Sequence, residues 1–349
     1  MSADRQCLLV LGMHRSGTSA LTRMLGLLGI DLPKTPLGGN ETNIIGHWEP
    51  TPVVHLNDRI LAAAGSSWHD FRPVDSRWFQ SVEAQQFRSE ACTILEAEFG
   101  GTGPFVIKEP RICRLSTFWI DVFGQMNVSP VFVLPIRNPL EVAASLKIRN
   151  GIEPGISHLL WLRHVLEAEL ATRGRPRVFT TYDELLGDWR QLAGKMQAVL
   201  ALDWPRAISD ASHDVDALLS DSHRHHREPP ARLFEDPVPG GLRKAFEIVD
   251  RWASSGENSD DFAELDRIKA EFEEASFLVA AAVASSAAES RQLADSQAQL
   301  ASSRQQLSAV QEQLAMTNQQ LASQHREIEL IAKQLDILKW RRPRLGWRK

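Results

Sequence analysis

Residues 7–28, CLLVLGMHRSGTSALTRMLGLL, constrain the fold more than any other stretch of the chain. Cys7 to Leu11 is a short continuous apolar run ending at Gly12, the pattern of a strand buried on both faces. His14 to Ser19 is a turn rich in small and polar residues. Leu21, Met24, Leu25 and Leu28 then recur at helical spacing. A buried strand, a tight turn and an amphipathic helix in that order call for a parallel sheet with helices packed on it. Backbone N–H groups converge at such a turn, and the helix dipole directs its positive end there, so the loop is suited to an anion.

The anion does not read as a triphosphate. In the pattern G-x-x-x-x-G-K-[ST] the lysine reaches the β- and γ-phosphates. Here Gly12 and Gly17 keep the spacing, but Thr18 stands at the lysine position. The cation is three residues earlier, at Arg15, where a guanidinium suits the bridging oxygen of a shorter anion at the loop mouth.

Three further segments carry strand ends with chemistry on them. In PVFVLPIRNPLEVAASLKIRNG, residues 130–151, Val131 to Ile136 predicts a strand, Asn138 a helix cap and Pro139 the first helical turn. The helix is expected to run to about Arg149 and stop near Gly151, with Arg137 at the strand's end and Ser145 two turns into the helix. In GPFVIKEPRICRLSTFW, residues 103–119, a short strand at Phe105 to Ile107 precedes Lys108-Glu109-Pro110-Arg111. Open α/β sheets place their sites at the carboxyl ends of such strands. VFTTYDELLGDW, residues 178–189, reads as a strand, then Tyr182-Asp183, then a helix; Tyr182, the sole tyrosine, either lines a nucleotide pocket or belongs to the core.

Together these segments resemble the sulfotransferase superfamily, whose 5′-phosphosulfate loop reads Lys or Arg, then Ser/Thr-Gly-Thr-[ST]. The resemblance implies that Arg15, Ser16, Gly17, Thr18 and Ser19 hold the 5′-phosphosulfate of 3′-phosphoadenosine-5′-phosphosulfate (PAPS), and that Arg137 and Ser145, eight residues apart, hold its 3′-phosphate. Lys108-Glu109-Pro110-Arg111 is similar to the Lys-Asp-Pro-Arg stretch of bacterial and tyrosylprotein-type members, with Glu109 in place of Asp. Lys108 is thereby assigned to the transferring sulfuryl group and Arg111 to its support. The Tyr182 segment looks like the Tyr-Glu-Asp-Leu stretch of the same family. The implied fold is a three-layer α/β sandwich around a central parallel sheet, of the P-loop nucleotide-kinase-like type; the heptads described below add a C-terminal α-helical coiled coil. Its strands are expected near 7–12, 104–108, 130–136 and 177–181. The implied reaction is in-line sulfuryl transfer to a hydroxyl, or an amine, of an acceptor, leaving 3′,5′-adenosine bisphosphate. A carbohydrate or polysaccharide is the acceptor class that the resemblance suggests. No metal is expected, because a sulfuryl group carries less charge than a phosphoryl group. The specific motifs cover residues 7 to about 190 and say nothing beyond about 255.

Such a transfer asks for a base, and LGGNETNIIGHWEPTPVVHLND, residues 37–58, offers candidates. Glu49, in Gly46-His47-Trp48-Glu49, is similar to the Gly-aromatic-Glu motif of many bacterial members. Glu41, in Asn40-Glu41-Thr42, resembles the Gly-Glu-Glu-Thr segment where tyrosylprotein sulfotransferases carry their base. These are rival alignments of one region; His47, His55 and the absence of any protein base complete the choices. An aromatic ring such as Trp48 beside a carboxylate favours basicity through desolvation.

The rest of the chain changes character. Residues 1–255 have a globular composition, 256–285 read as a helical connector, 286–340 as a coiled coil and 341–349 as a basic tail. The coil follows from Leu293, Leu300, Leu307, Leu314, Leu321, Ile328 and Leu335, which recur every seven residues in a stretch without Gly or Pro. Their companions, Ser296, Ser303, Val310, Thr317, Gln324, Ile331 and Leu338, are apolar mainly toward the end, so the coil is loose. It spans roughly 70 Å at about 1.5 Å per residue and implies a homo-oligomer; a single solvated helix folded back on the domain is the alternative. The tail, with Trp340 and Trp347 among five cations, suits a membrane surface or an acidic partner, or is a frayed end. The net charge of −5 argues against a nucleic-acid binder. Cys7, Cys92 and Cys113 are odd in number and lack metal-ligand spacing, which suggests reduced thiols in the cytoplasm. The first apolar run is a strand's length, shorter than a signal peptide or membrane span requires. His223, His225 and His226 lie among arginines, which repel a metal cation. Two other functions stay open: a P-loop kinase or NTPase, and a non-catalytic sulfotransferase-like head on a coiled-coil scaffold.

Overall fold

The computed structural model describes residues 5–39, 46–219, 232–235 and 238–340. Glu41, the histidines of 223–226 and the basic tail lie outside them. Four parallel strands, β1 (Arg5–Val10), β2 (Phe105–Lys108), β3 (Val128–Ile136) and β4 (Arg177–Thr181), form one sheet in the order β2-β1-β3-β4. Val10 is in register with Lys108 on one side and with Val133 on the other, so β1 and β2 end at one level and β3 continues three residues further, to Ile136.

The helices before β4 are α1 (Thr18–Leu27), α2 (Thr51–Ala63), α3 (Val82–Glu98), α4 (Ser116–Gln125), α5 (Pro139–Asn150) and α6 (Pro154–Thr172). After it come α7 (Tyr182–Gly187), α8 (Trp189–Leu200), α9 (Ile208–Leu218), α10 (Arg232–Glu235), α11 (Gly240–Ser255) and α12 (Phe262–Trp340). The period of two along β1 sorts them into layers. Leu8 and Val10 join a core with α1, α7, α8 and α9. Cys7, Leu9 and Leu11 join a larger core with α2 to α6, α11 and the start of α12. Leu8, Leu9 and Val10 are fully buried, and each such side chain contributes roughly 1.5–3 kcal/mol. The architecture is the expected three-layer sandwich, because the central strand is apolar on both faces.

Local signals set the element ends. Asn138 caps α5 by accepting from Leu140 N, Pro139 occupies its first position, and Gly151 ends it in the left-handed region at φ +67°. Thr181 and Glu184 form a reciprocal capping box at α7.

The chain divides into two compact units, Met1–Ala280 and Ala281–Lys349. The first extends past the boundary at 255 expected from composition. Leu265, Ile268 and Phe272 of α12 are buried in its core, a periodicity that the polar residues between them mask in the sequence. In the second unit the heptad residues Leu293 to Leu335 are 53–65% exposed. No described helix is long and apolar enough to cross a membrane.

Candidate active site

The strand order decides what surrounds the loop after β1. With β1 between β2 and β3, the loop has the end of β2 on one side and the end of β3 on the other. The chain turns to β2 in one direction and to β3 and β4 in the other, which opens a crevice at the carboxyl ends beside β1.

The loop is held tightly from below. A Cβ on Gly12 would lie 2.7 Å from Thr18 Cγ2 and 2.8 Å from Pro135 Cγ, so only glycine lets β1 pass into the turn. Gly17 has φ +77°, and a Cβ there would lie 2.2 Å from Tyr182 Cδ2. Tyr182 belongs to the core, at 8% exposure, and its ring is the surface on which the loop rests. Arg15 also sits in the left-handed region, at φ +71°, at a cost of about 1–2 kcal/mol for a non-glycine residue. Two positive-φ residues bracket Ser16, and α1 begins directly after Gly17, so its first N–H groups face the turn.

On the β3 side, Arg15 Nε donates to Ser145 Oγ at 2.7 Å, across 130 residues of sequence. Arg137 Nη1 donates to the Arg15 carbonyl at 2.8 Å, and its Nε donates to Glu141 Oε2 at 2.7 Å. Trp161 Nε1 donates to the Arg137 carbonyl at 3.0 Å, and the Arg137 guanidinium lies 5.1 Å from the Tyr182 ring centroid. The two strand–helix units thus form one cradle. Burial, then the charges of Arg149 and Arg137, pull Arg15 below the ordinary guanidinium value.

Arg149 is a residue that motif spacing alone misses. It follows Ser145 by one helical turn on α5, and its side chain has no ion-pair partner among the described residues. The available signal was the i,i+4 step from Ser145.

On the β2 side, Lys108 is 1% exposed at the strand's last position. Its Nζ donates to Glu49 Oε1 at 2.6 Å and to Ser19 Oγ at 3.3 Å, so one ammonium bridges the loop and the candidate base. Ser19 Oγ also reaches the His47 carbonyl at 3.3 Å. Glu49 is 6% exposed; its Oε1 takes the Lys108 bond, and its Oε2 has no hydrogen-bond donor among the described residues. Trp48, at φ +58°, carries its ring 4.7 Å from the Arg23 guanidinium. Burial depresses the His47 imidazole, partly offset by Glu49. His55 is exposed on α2.

Arg111 is committed elsewhere. It donates to Glu109 Oε1 through Nη1 and to Asp58 Oδ1 through Nε, both at 2.6 Å. Asn57 Nδ2 donates to Glu109 Oε2 at 2.6 Å and its Oδ1 accepts from Trp119 Nε1 at 2.9 Å. Burial pushes Glu109 above the ordinary carboxylate range, opposed by Arg111 and reinforced by Glu49. Two carboxylates thus take both ends of the Arg111 guanidinium, and the expected support of the transferring group is not among its bonds to described residues.

Behind the loop, His14 packs edge-on against Trp68 and His164, with ring centroids 5.0 and 6.1 Å away. Burial, then the charge of Arg111, holds His14 well below the ordinary imidazole range. Fully buried His164 is pushed down to about 3 by burial and by Arg114. A histidine depressed in the folded state contributes stability that is present above its unfolded value, near 6.5, and is lost as pH falls toward the folded value. Each pH unit below 6.5 costs about 1.4 kcal/mol per such group. Lowering pH from 7 to 5 is therefore expected to cost wild type about 2 kcal/mol more than His164→Phe, read by urea unfolding at both pH values. Equal losses in the two proteins would remove His164 from the acid response.

No protein-family model matches the chain, and no curated protein matches it. Among solved structures it is similar to the sulfotransferase domain from the curacin biosynthetic pathway, at 13% identity and a TM-score of 0.38, over 76% of this chain and 97% of that one. It is also similar to the sulfotransferase domain of the Synechococcus PCC 7002 olefin synthase, at 14% identity and a TM-score of 0.39, over 78% and 96%.

Proposed function

We propose that the chain transfers a sulfuryl group from PAPS to a hydroxyl of an acceptor, leaving 3′,5′-adenosine bisphosphate. One observation carries the reading: Arg15 is bonded to Ser145 and its carbonyl to Arg137, so the loop and the second strand–helix unit make a single anion cradle. A donor with anionic groups at both the 5′ and 3′ positions fits a cradle of two halves. The clustering of Arg15, Arg137 and Arg149 at the loop fits it too, since each of their charges acts on Arg15 or belongs to it.

When bound, the donor supplies an activated sulfuryl group on a phosphate leaving group. The N–H groups of Ser16 to Ser19 and the α1 dipole hold the 5′ side. Arg137 and Ser145 hold the 3′-phosphate, with Arg149 one turn away. Lys108 stabilises charge on the transferring oxygens, already placed by Ser19 and Glu49. Glu49 takes the acceptor proton at Oε2, while Oε1 stays on Lys108. No residue here acts as a metal ligand in this scheme. The acceptor is proposed to be a carbohydrate or polysaccharide. The compartment is proposed to be the cytoplasm, where free thiols such as Cys7 and Cys113 persist.

Calorimetry with 3′,5′-adenosine bisphosphate tests the cradle. Wild type is expected to bind it, and Arg137→Ala to weaken it roughly 10- to 100-fold, as loss of a charged hydrogen bond predicts. Binding of magnesium–ATP without binding of the bisphosphate would overturn the reading in favour of a kinase.

A further inference from the structure

We infer that residues 293–338 pair with the same segment of a second copy of this chain, parallel and in register. The seven heptad residues of α12 are more than half exposed along one stripe. A helix with such a stripe buries it against a partner. Three features of the sequence select the partner and its direction.

The first is charge. Six of the seven residues directly before the heptad apolar positions are Gln, and the seventh is Glu327. On the opposite flank, four residues after each heptad position, the formal charges are Arg304 and Lys339 alone. In a parallel pair these flanks face each other five residues apart, which sets Gln299 against Arg304, Glu327 against Ala332 and Gln334 against Lys339. No like charges meet, so identical chains pair without the repulsion that otherwise excludes self-association.

The second is how polar layers distribute. In a parallel pair each core residue meets its own copy. Leu meets Leu, Ile331 meets Ile331, Ser303 meets Ser303 and Gln324 meets Gln324. In a fully overlapped antiparallel pair Leu335 would face Ser296, Ile328 would face Ser303 and Leu307 would face Gln324. Setting every polar core residue against an aliphatic one leaves the Gln324 amide facing leucine with no group across the pair to bond. The parallel arrangement lets Gln324 amides bond to each other and keeps the leucine layers dry.

The third is register. A single Gln layer inside an otherwise hydroxyl or apolar series penalises slippage by one heptad, because it would then meet Thr317 or Ile331.

The test uses the full-length chain. Light scattering after gel filtration is expected to give the mass of two copies, and Leu307→Asp with Leu314→Asp to halve it. Near-ultraviolet circular dichroism of the buried Trp119, Trp161 and Trp252 serves as the control for folding of the first unit. Direction is read by Ile331→Cys in a Cys92→Ser background, since Cys92 is the half-exposed native thiol. Oxidation is expected to join two copies at residue 331. A wild-type mass of one copy, or of more than two, overturns the pairing; a two-copy mass without the 331 link overturns its direction. Neither result depends on the proposed reaction.

Discussion

Replacing Glu49 by Gln is expected to lower the transfer rate by roughly 10²- to 10⁴-fold, the usual contribution of a positioned general base. Bisphosphate binding is expected to persist or tighten. The amide keeps the shape of the carboxylate and can still accept from Lys108 through Oε1, so the ammonium stays beside Ser19. What is lost is the negative charge, which both removes the proton acceptor and leaves Lys108 with more positive charge to offer an anionic ligand. The check is the pair of measurements, single-turnover transfer and calorimetric binding. Rate and binding lost together would make Glu49 a structural partner of Lys108. An unchanged rate would remove Glu49 as the base, and loss of transfer in Glu41→Gln instead would move the base to Glu41, the rival in the same segment.

Arg15→Ala is expected to act on both quantities. Removing one donor aimed at developing charge costs about 10²- to 10³-fold in rate. Arg15 also carries the bond to Ser145, so the two halves of the cradle lose their direct link. The combined loss in kcat/KM is expected to reach roughly three to four orders of magnitude. The backbone at 15 is already in the left-handed region, which Ala tolerates no better than Arg, so unfolding measurements should move by less than about 1 kcal/mol. Near-normal turnover in Arg15→Ala would remove the guanidinium from the mechanism. The same variant with a large stability loss would mean that the loop conformation, and not the charge, is what Arg15 maintains.

Much of the cradle was legible because local rules wrote it. An apolar run ending at Gly12, a turn with Gly17 and a helix after it specify a loop whatever else the chain does. Asn138, Pro139 and Gly151 mark both ends of α5, and Ser145 falls on it accordingly. The encounters between segments were not legible. Lys108 and Glu49 are 59 residues apart, and Arg15 and Ser145 are 130 apart; only the strand order brings each pair together. For the same reason Arg111 reads as a free cation in its own segment, whereas Glu109 and Asp58 take both ends of its guanidinium. Trp48 reads as a neighbour of Glu49 in sequence, yet positive φ at Gly46 and Trp48 turns the chain and the ring goes to Arg23. The stretch after 255 reads by composition as a connector, yet Leu265, Ile268 and Phe272, spaced i, i+3 and i+7 over two turns of α12, pack into the core of the first unit.

The contact between Gly17 and Tyr182 has a practical side. Tyr182 is the one tyrosine in 349 residues, and its ring lies directly beneath the loop with Arg137 over its face. Growing the protein on fluorotyrosine therefore places a single fluorine reporter under the anion cradle and nowhere else. The full-length wild-type chain comes with its own resonance for watching the loop fill and empty, with no engineered residue to perturb it.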